Sequence, residues 1–502
     1  MTVTKKIFAA SLACALLAAN VYAQDDWGND GYEQEEAAEP TFWDRFKING
    51  DATLAGRAYV GKYVENDISI YDMPIAAIPR LKLGFDYEGN STKFSSKLRF
   101  DEQTLRYDQE MILDEFSADL FVDNWVLSAG KMKVVWGKGD KLHVLDNFNS
   151  NNYYDFLIPD YLDRRNAEYM FRVQYNSPIG LRLEGIYTPI MHGETYAQKG
   201  PWVPQRVTKL TNNVTEVLAA QNSTYNFAGL LAALSASEDL YPDTYKLEYG
   251  QFGGYLNFTV GLFDFGISYY NGRYKQVSAN TSGLVAAGAI AQVAGTPYQT
   301  KFLSALGSYA ENLMPSLSYD KVQSFGIDMQ TALGPFTIRA EGVYNMTKDF
   351  DGDDPWTHNN NIGYLFGFDV SLPIHNVTLN VQGTGNIVLK KGSIVDNKLG
   401  GLVRTETYDT DYDPTGCYTN HKIVVQLQDT FYYEKITATV KAIYGIERYD
   451  LLVMPELSFK VRDGWKITGS GLIIHNFDDN DKSEFAGWLD NSFVQLGVNY
   501  TF

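Results

Sequence analysis

Cysteine is almost absent: Cys14 and Cys417 are the only two in 502 residues. Cys14 lies in an N-terminal apolar stretch expected to be removed, so no intramolecular disulfide can brace what is left. Ser11-Leu12-Ala13 before it makes a poor lipobox, which disfavours lipidation there. Beyond that stretch no apolar run reaches helix-spanning length, which excludes a helical membrane protein. The histidines His143, His192, His358, His375, His421 and His475 are scattered, without metal-binding pairs at i, i+4. Neither a Gly-x-Ser-x-Gly elbow nor a phosphate-binding loop is present, so no enzyme activity, cofactor or metal is expected. The acidic run Asp349 to Asp354 lacks the spacing and closing glutamate of a calcium loop. Base is scarce relative to acid, with a net charge of −19, and that argues against nucleic acid as a partner.

What the chain does have is aromatic side chains, 14% of all residues with 35 Tyr, and period-two alternation from about Phe46 to the end. The last segment is the clearest. From Phe493 to Phe502, Val494, Leu496, Val498, Tyr500 and Phe502 share one face, and Gln495, Gly497, Asn499 and Thr501 share the other. Alternation running to a terminal aromatic is the pattern of the closing strand of a bacterial outer-membrane barrel, read there by the barrel assembly machinery. Lipid offers a strand edge no hydrogen-bond partner, so only a complete cylinder is tolerated. The expected fold is all-β: a transmembrane antiparallel β-barrel over residues 46–502, in contact with outer-membrane lipids.

The front agrees with export. Lys5 and Lys6 precede an apolar stretch from Ile7 to Ala19, and Val21-Tyr22-Ala23 forms a small-x-small cleavage site. Residues 1–23 are therefore expected to be a signal peptide. Residues 24–45 are expected to be an acidic periplasmic lead, since Asp25, Asp26, Asp30, Glu33, Glu35, Glu36 and Glu39 occur there before any base. Asp409 to Asp413 and Asp478 to Asp481 read as acidic loop tips, like Asp349 to Asp354.

Turn chemistry sets the strand count. Tight Gly-, Pro-, Asn- or Asp-rich links occur at Glu88 to Asn90, Asp123-Asn124, Ser177 to Gly180, Gly261 to Asp264, Leu333 to Pro335, Pro373 to Asn376, Tyr433 to Lys435 and Arg462 to Gly464. The connections between them are mostly longer: 61–77, 102–109, 137–166, 190–244, 276–319, 348–361, 390–420, 448–450 and 477–489. Short turns on one side and long loops on the other predict about 18 strands with both termini periplasmic. Residues 207–236 and 283–314 show helix-like spacing, and these two long loops are expected to fold into the lumen as a constriction or to cap its mouth.

Alternation also predicts the inner wall. Arg80 and Lys82 face inward from one strand, Lys93, Lys97 and Arg99 from the next, and Arg172 and Arg182 from two later ones. Placing Met132, Val134 and Trp136 outward points Lys131 and Lys133 inward; the opposite phase would put lysines in lipid at about 2–4 kcal/mol each near the midplane. This basic ladder, diluted by Asp86, Asp101, Glu115, Asp119 and Glu184, favours anionic solutes in an open pore. An interlocked, structural lumen of Arg, Lys, Asp and Glu remains the alternative.

Residues 128–140, read as SAGKMKVVWGKGD, resemble the strand-plus-loop signature of a porin-like family of bacterial outer-membrane proteins of uncharacterised function, distantly similar to alginate-export barrels. Asp146-Asn147, Asp155 to Asp160 and Asp163-Arg164-Arg165 are similar to that family's third loop, and Met454 to Phe459 with Asp463-Gly464 to its penultimate hairpin. The resemblance implies an eighteen-strand pore with Lys131, Lys133, Asp140, Asp160, Arg164 and Arg165 at or near the constriction, and no established substrate. A channel for small, anion-biased solutes is the leading expectation. A surface adhesin or receptor using its long loops, and a transporter of lipid or hydrophobic compounds, are the rivals. Oligomers are compatible with each.

Overall fold

The computed structural model describes residues 41–61, 75–140, 142–197, 199–204, 241–280, 316–396, 410–413, 415–477 and 482–502. The expected signal peptide, the lead up to residue 40, the helix-like stretches in 207–236 and 283–314, and the tip Asp478 to Asp481 lie outside them.

Eighteen strands form one sheet. They are β1 (Phe46–Tyr59), β2 (Ile75–Glu88), β3 (Thr92–Phe100), β4 (Leu113–Val122), β5 (Trp125–Met132), β6 (Glu168–Asn176), β7 (Arg182–Thr188), β8 (Gln251–Val260) and β9 (Phe263–Arg273). The second half holds β10 (Lys321–Leu333), β11 (Phe336–Met346), β12 (Asn361–Ser371), β13 (Thr378–Val388), β14 (Thr419–Phe431), β15 (Ile436–Gly445), β16 (Asp450–Arg462), β17 (Trp465–Asn476) and β18 (Phe493–Thr501). Each strand pairs antiparallel with its sequence neighbours, and β18 pairs with β1 from Asp51↔Thr501 to Tyr59↔Phe493. Gly50 and Phe502 then exchange backbone hydrogen bonds of 3.0 Å, so the terminal residue seals the seam. The barrel is closed, with no edge in the sheet. All the tight links expected from turn chemistry join strands at one end; Gly180, Gly261, Gly334 and Gly464 adopt positive φ there.

Register assigns the faces. Leu54, Ile327 and Leu496 are more than 60% exposed and stand on the lipid side, while Arg57 between Gly56 and Ala58 is 2% exposed. The apolar core sits inside the barrel, because a segment of chain enters it. Leu145 and Phe148 of the β5–β6 connection pack on Met170, Ile186, Tyr255, Tyr270, Val322 and Val343 of the wall. On the far side Phe156 and Trp202 pack on Leu452, Leu472, Ile474 and Phe493.

One stretch departs from the expected alternation. β5 ends at Met132 rather than Trp136, and its inward face is Ser128, Gly130 and Met132, set by Ser128↔Arg172 and Met132↔Glu168. Gly130, at φ +155°, lies so close to β4 that a Cβ would collide with the Phe116 carbonyl. Met132, Val134 and Trp136, expected to face lipid, are buried inside at 7%, 5% and 2% exposure. The inward row of Ser128, Gly130 and Met132 runs on through Val134 and Trp136 as the chain leaves the sheet for the lumen, so the period holds and the expected phase is inverted.

Candidate functional site, a segment across the lumen

Residues 133–167 enter the barrel after β5 and are tied to its wall on several sides. Trp136 Nε1 donates to Glu184 Oε1 at 2.9 Å on β7, and its ring stacks on Tyr255 of β8 at 5.6 Å. The next turn is held by Glu341 of β11. Its carboxylate accepts from Gly139 N at 2.6 Å and Val144 N at 2.8 Å, and meets His143 Nδ1 at 3.0 Å. Gly137 adopts φ +106°, and a Cβ there would strike that carboxylate, so the close approach needs glycine. Asp140 accepts from Asn380 Nδ2 of β13 at 3.2 Å. Farther on, Asp155 receives Arg57 of β1 in a two-pronged contact of 2.6 and 3.0 Å, Asp160 meets Lys441 of β15 at 2.8 Å, and Asp163 meets Lys82 of β2 at 2.6 Å. The segment is thus fixed to β1, β2, β7, β11, β13 and β15, around the circumference.

Inside the segment a second set of contacts keeps its shape. Arg165 reaches Asp146 through its carbonyl at 2.8 Å and its carboxylate at 3.3 Å, and Tyr161 donates to the same carboxylate at 2.5 Å. Burial pushes the Asp146 carboxyl above its ordinary value despite the Arg165 charge. Asp163 goes the other way. Burial alone would raise it, but the Lys82 and Arg80 charges outweigh that and hold it below the usual carboxylate range. Arg164 is bound through its backbone to Asp160 at 3.0 Å, and its side chain lies within the fold of the segment.

The expected pore-lining residues divide as follows. Arg80, Lys82, Lys93, Lys97, Arg99, Arg172 and Arg182 occupy inward positions by register. Each is answered by acid: Arg80 and Lys82 by Asp163, Lys93 by Glu88, Lys97 by Glu115, Arg99 by Asp101, and Arg172 and Arg182 both by Glu184. Lys133, past the end of β5, meets Asp114 at 3.1 Å and Glu115 at 3.8 Å. Lys131 does not join the inward row. Its backbone pairs with Phe116 and Tyr169, on the outward phase. It escapes the lipid penalty by bending to the rim, where its ammonium donates to the Leu113 and Glu110 carbonyls at 2.7 and 3.2 Å. Of the other residues expected at or near a constriction, Asp140 and Asp160 tie the segment to the wall, while Arg164 and Arg165 hold it together from within.

Glu341, Asn380 and Lys441 are not singled out by sequence, and Trp136, Asp155 and Asp163 enter there only as parts of motif stretches, without their partners on the wall. Alternation places Glu341, Asn380 and Lys441 inward, a usable signal, but which loop residue each would meet is a three-dimensional fact. The structure also brings Ser278, His358 and Asp320 together. Ser278 Oγ and Asp320 both face His358 Nδ1, at 2.9 and 2.7 Å, and Ser278 is wholly buried. A nucleophilic triad needs serine and carboxylate on opposite ring nitrogens, so this cluster is a loop tie.

No family model and no curated protein matches this chain. Solved structures similar to it include Acinetobacter baumannii OccAB4, at 10% identity over 91% of this chain and 97% of that one, with a TM-score of 0.43. Salmonella typhi OmpF in complex with daunomycin follows at 9% identity, 91% and 97% coverage and a TM-score of 0.37. A mutant of the Rh. blastica porin gives 10%, 91%, 100% and 0.34. The assignment of the fold rests on the strand pairing of the chain itself.

Proposed function

We propose that this protein is a bacterial outer-membrane channel through which small water-soluble solutes pass, narrowed by residues 133–167. The observation that carries the reading is the tethering of one polar segment around the inside of a closed eighteen-strand wall. A barrel of this strand number is wide enough for water unless something fills it. The apolar clusters of the lumen are filled by the chain's own Leu145, Phe148 and Phe156, which argues against a greasy path for lipids. Kinship with alginate-export barrels, implied by residues 128–140, belongs to the same proposal.

Anion preference belongs to the same proposal. The basic arc from β2 to β7 is largely neutralised, but two cations share one carboxylate at Arg80–Asp163–Lys82 and at Arg172–Glu184–Arg182. Those two sites leave local positive charge for an anion. The test is conductance of the purified barrel in planar bilayers. Steady openings with a modest anion preference are expected, and Lys82→Gln with Arg182→Gln should lower the anion/cation permeability ratio. Absence of openings sinks the channel; an unchanged ratio sinks the anion bias alone.

A further inference from the structure

The inner wall is not uniform around its circumference. The arc from β2 to β7 carries interlocked charge, whereas on the arc from β13 to β15 amides and hydroxyls predominate, and the two inward lysines, Lys422 and Lys441, are paired with Glu484 and Asp160. Register places Asn380 and Gln382 of β13, Gln426 and Gln428 of β14, and Thr437 and Thr439 of β15 on the inward face, with Asn380↔Gln426 and Gln428↔Thr439 directly opposite each other. Gln382 is 2% exposed and its amide oxygen has no hydrogen-bond partner among the described residues; the Gln426 amide oxygen is buried and unpartnered in the same way. Buried acceptors are normally satisfied, so two on one wall mark a surface that waits for a donor. The rim of the narrowing segment runs along this arc, through Asp140 at Asn380 and Asp160 at Lys441.

From this we infer that the β13–β15 wall is a hydrogen-bonding track for neutral, polyhydroxylated solutes of the sugar type, a reading that rests on the channel proposed above. A sugar hydroxyl both donates and accepts, which suits a wall of amides and hydroxyls. Groups on alternate positions and adjacent strands stand roughly 5–7 Å apart, about the span of a hexose ring. A charged solute finds its partners on the opposite arc, so the two halves of the lumen sort solutes by chemistry.

The test uses the full barrel in liposomes and compares swelling rates with sucrose and with a polyethylene glycol of matched hydrodynamic radius, whose ether oxygens accept but whose chain does not donate. Sucrose should enter faster in the native barrel. Gln426→Leu with Gln428→Leu should reduce the sucrose/polyethylene glycol ratio about three- to tenfold, the loss of one net hydrogen bond, with chloride conductance unchanged. Thr437→Val with Thr439→Val, nearly isosteric and less able to disturb folding, should lower the ratio in the same direction. A ratio near one in the native barrel, or one unmoved in both variants, overturns the track while leaving the channel standing. If neither solute enters and no chloride current flows, the channel itself fails and the track with it.

Discussion

Glu341 shows how much one inward side chain can decide. Its carboxylate is wholly shielded and accepts two backbone N–H groups while lying against His143. A carboxylate offers only acceptors, which is what two convergent N–H donors need. Glu341→Gln keeps the shape but turns one end of the group into a donor facing the donor at Val144. The unmade hydrogen bond should cost about 1–3 kcal/mol, taken from the hold on the turn rather than from the barrel. The expected outcome is a barrel of unchanged heat stability whose single-channel current becomes noisier and whose β5–β6 segment is cut faster by added protease. Native cleavage rates and native noise in this variant would show that Glu341 does not restrain the segment.

At the scale of elements, what could be read in advance depended on whether a residue stayed within the sheet. The faces of β2, β3, β6, β7 and β18 follow from alternation, because one side meets lipid and the other water. Turn residues placed the tight links for an equally local reason: positive φ at Gly261 and Gly464 is a property of the glycine itself. Residues 131–136 depart because keeping the lysines out of lipid selects the opposite phase to the one that the register of β5 imposes. Lys131 was misjudged since a long flexible side chain near a strand end reaches the rim. The ties of residues 133–167 were illegible, because Asp155 and Arg57, or Asp163 and Lys82, lie far apart in sequence. One of those ties has a pH signature. Asp163 has a depressed native carboxyl value, so its contribution is fully present above about pH 3.8, the ordinary value, and fades as pH falls through the lower native one. Conductance titrated downward should therefore change at a lower pH in the native barrel than expected for a free carboxyl. Lys82→Met should shift that change upward; an identical midpoint would exclude the Lys82–Asp163 contact as its origin.

At the scale of the whole molecule, the single physical condition is that the outside of the cylinder meets hydrocarbon and the inside meets water. Two positions on neighbouring strands separate these environments cleanly. Leu496 of β18 is 64% exposed on the lipid side, whereas Ser470 of β17, paired through its backbone with Gln495, stands on the inner face. An arginine at each should then behave in opposite ways. Leu496→Arg places a guanidinium in hydrocarbon, at about 2–4 kcal/mol near the midplane. Ser470→Arg places the same group against a wet wall, where it finds water or the neighbouring Glu456, directly across at Glu456↔Ser470. Reversible folding into lipid vesicles, followed by urea titration, should give a large loss for the first and a change within about 0.5 kcal/mol for the second, the range of ordinary surface substitutions. The contrast tests more than one strand, since β18 closes on β1 and each register pair carries the same phase round to the next strand. Equal losses at the two positions would mean that the wall has no wet side, and the channel would lose its physical basis.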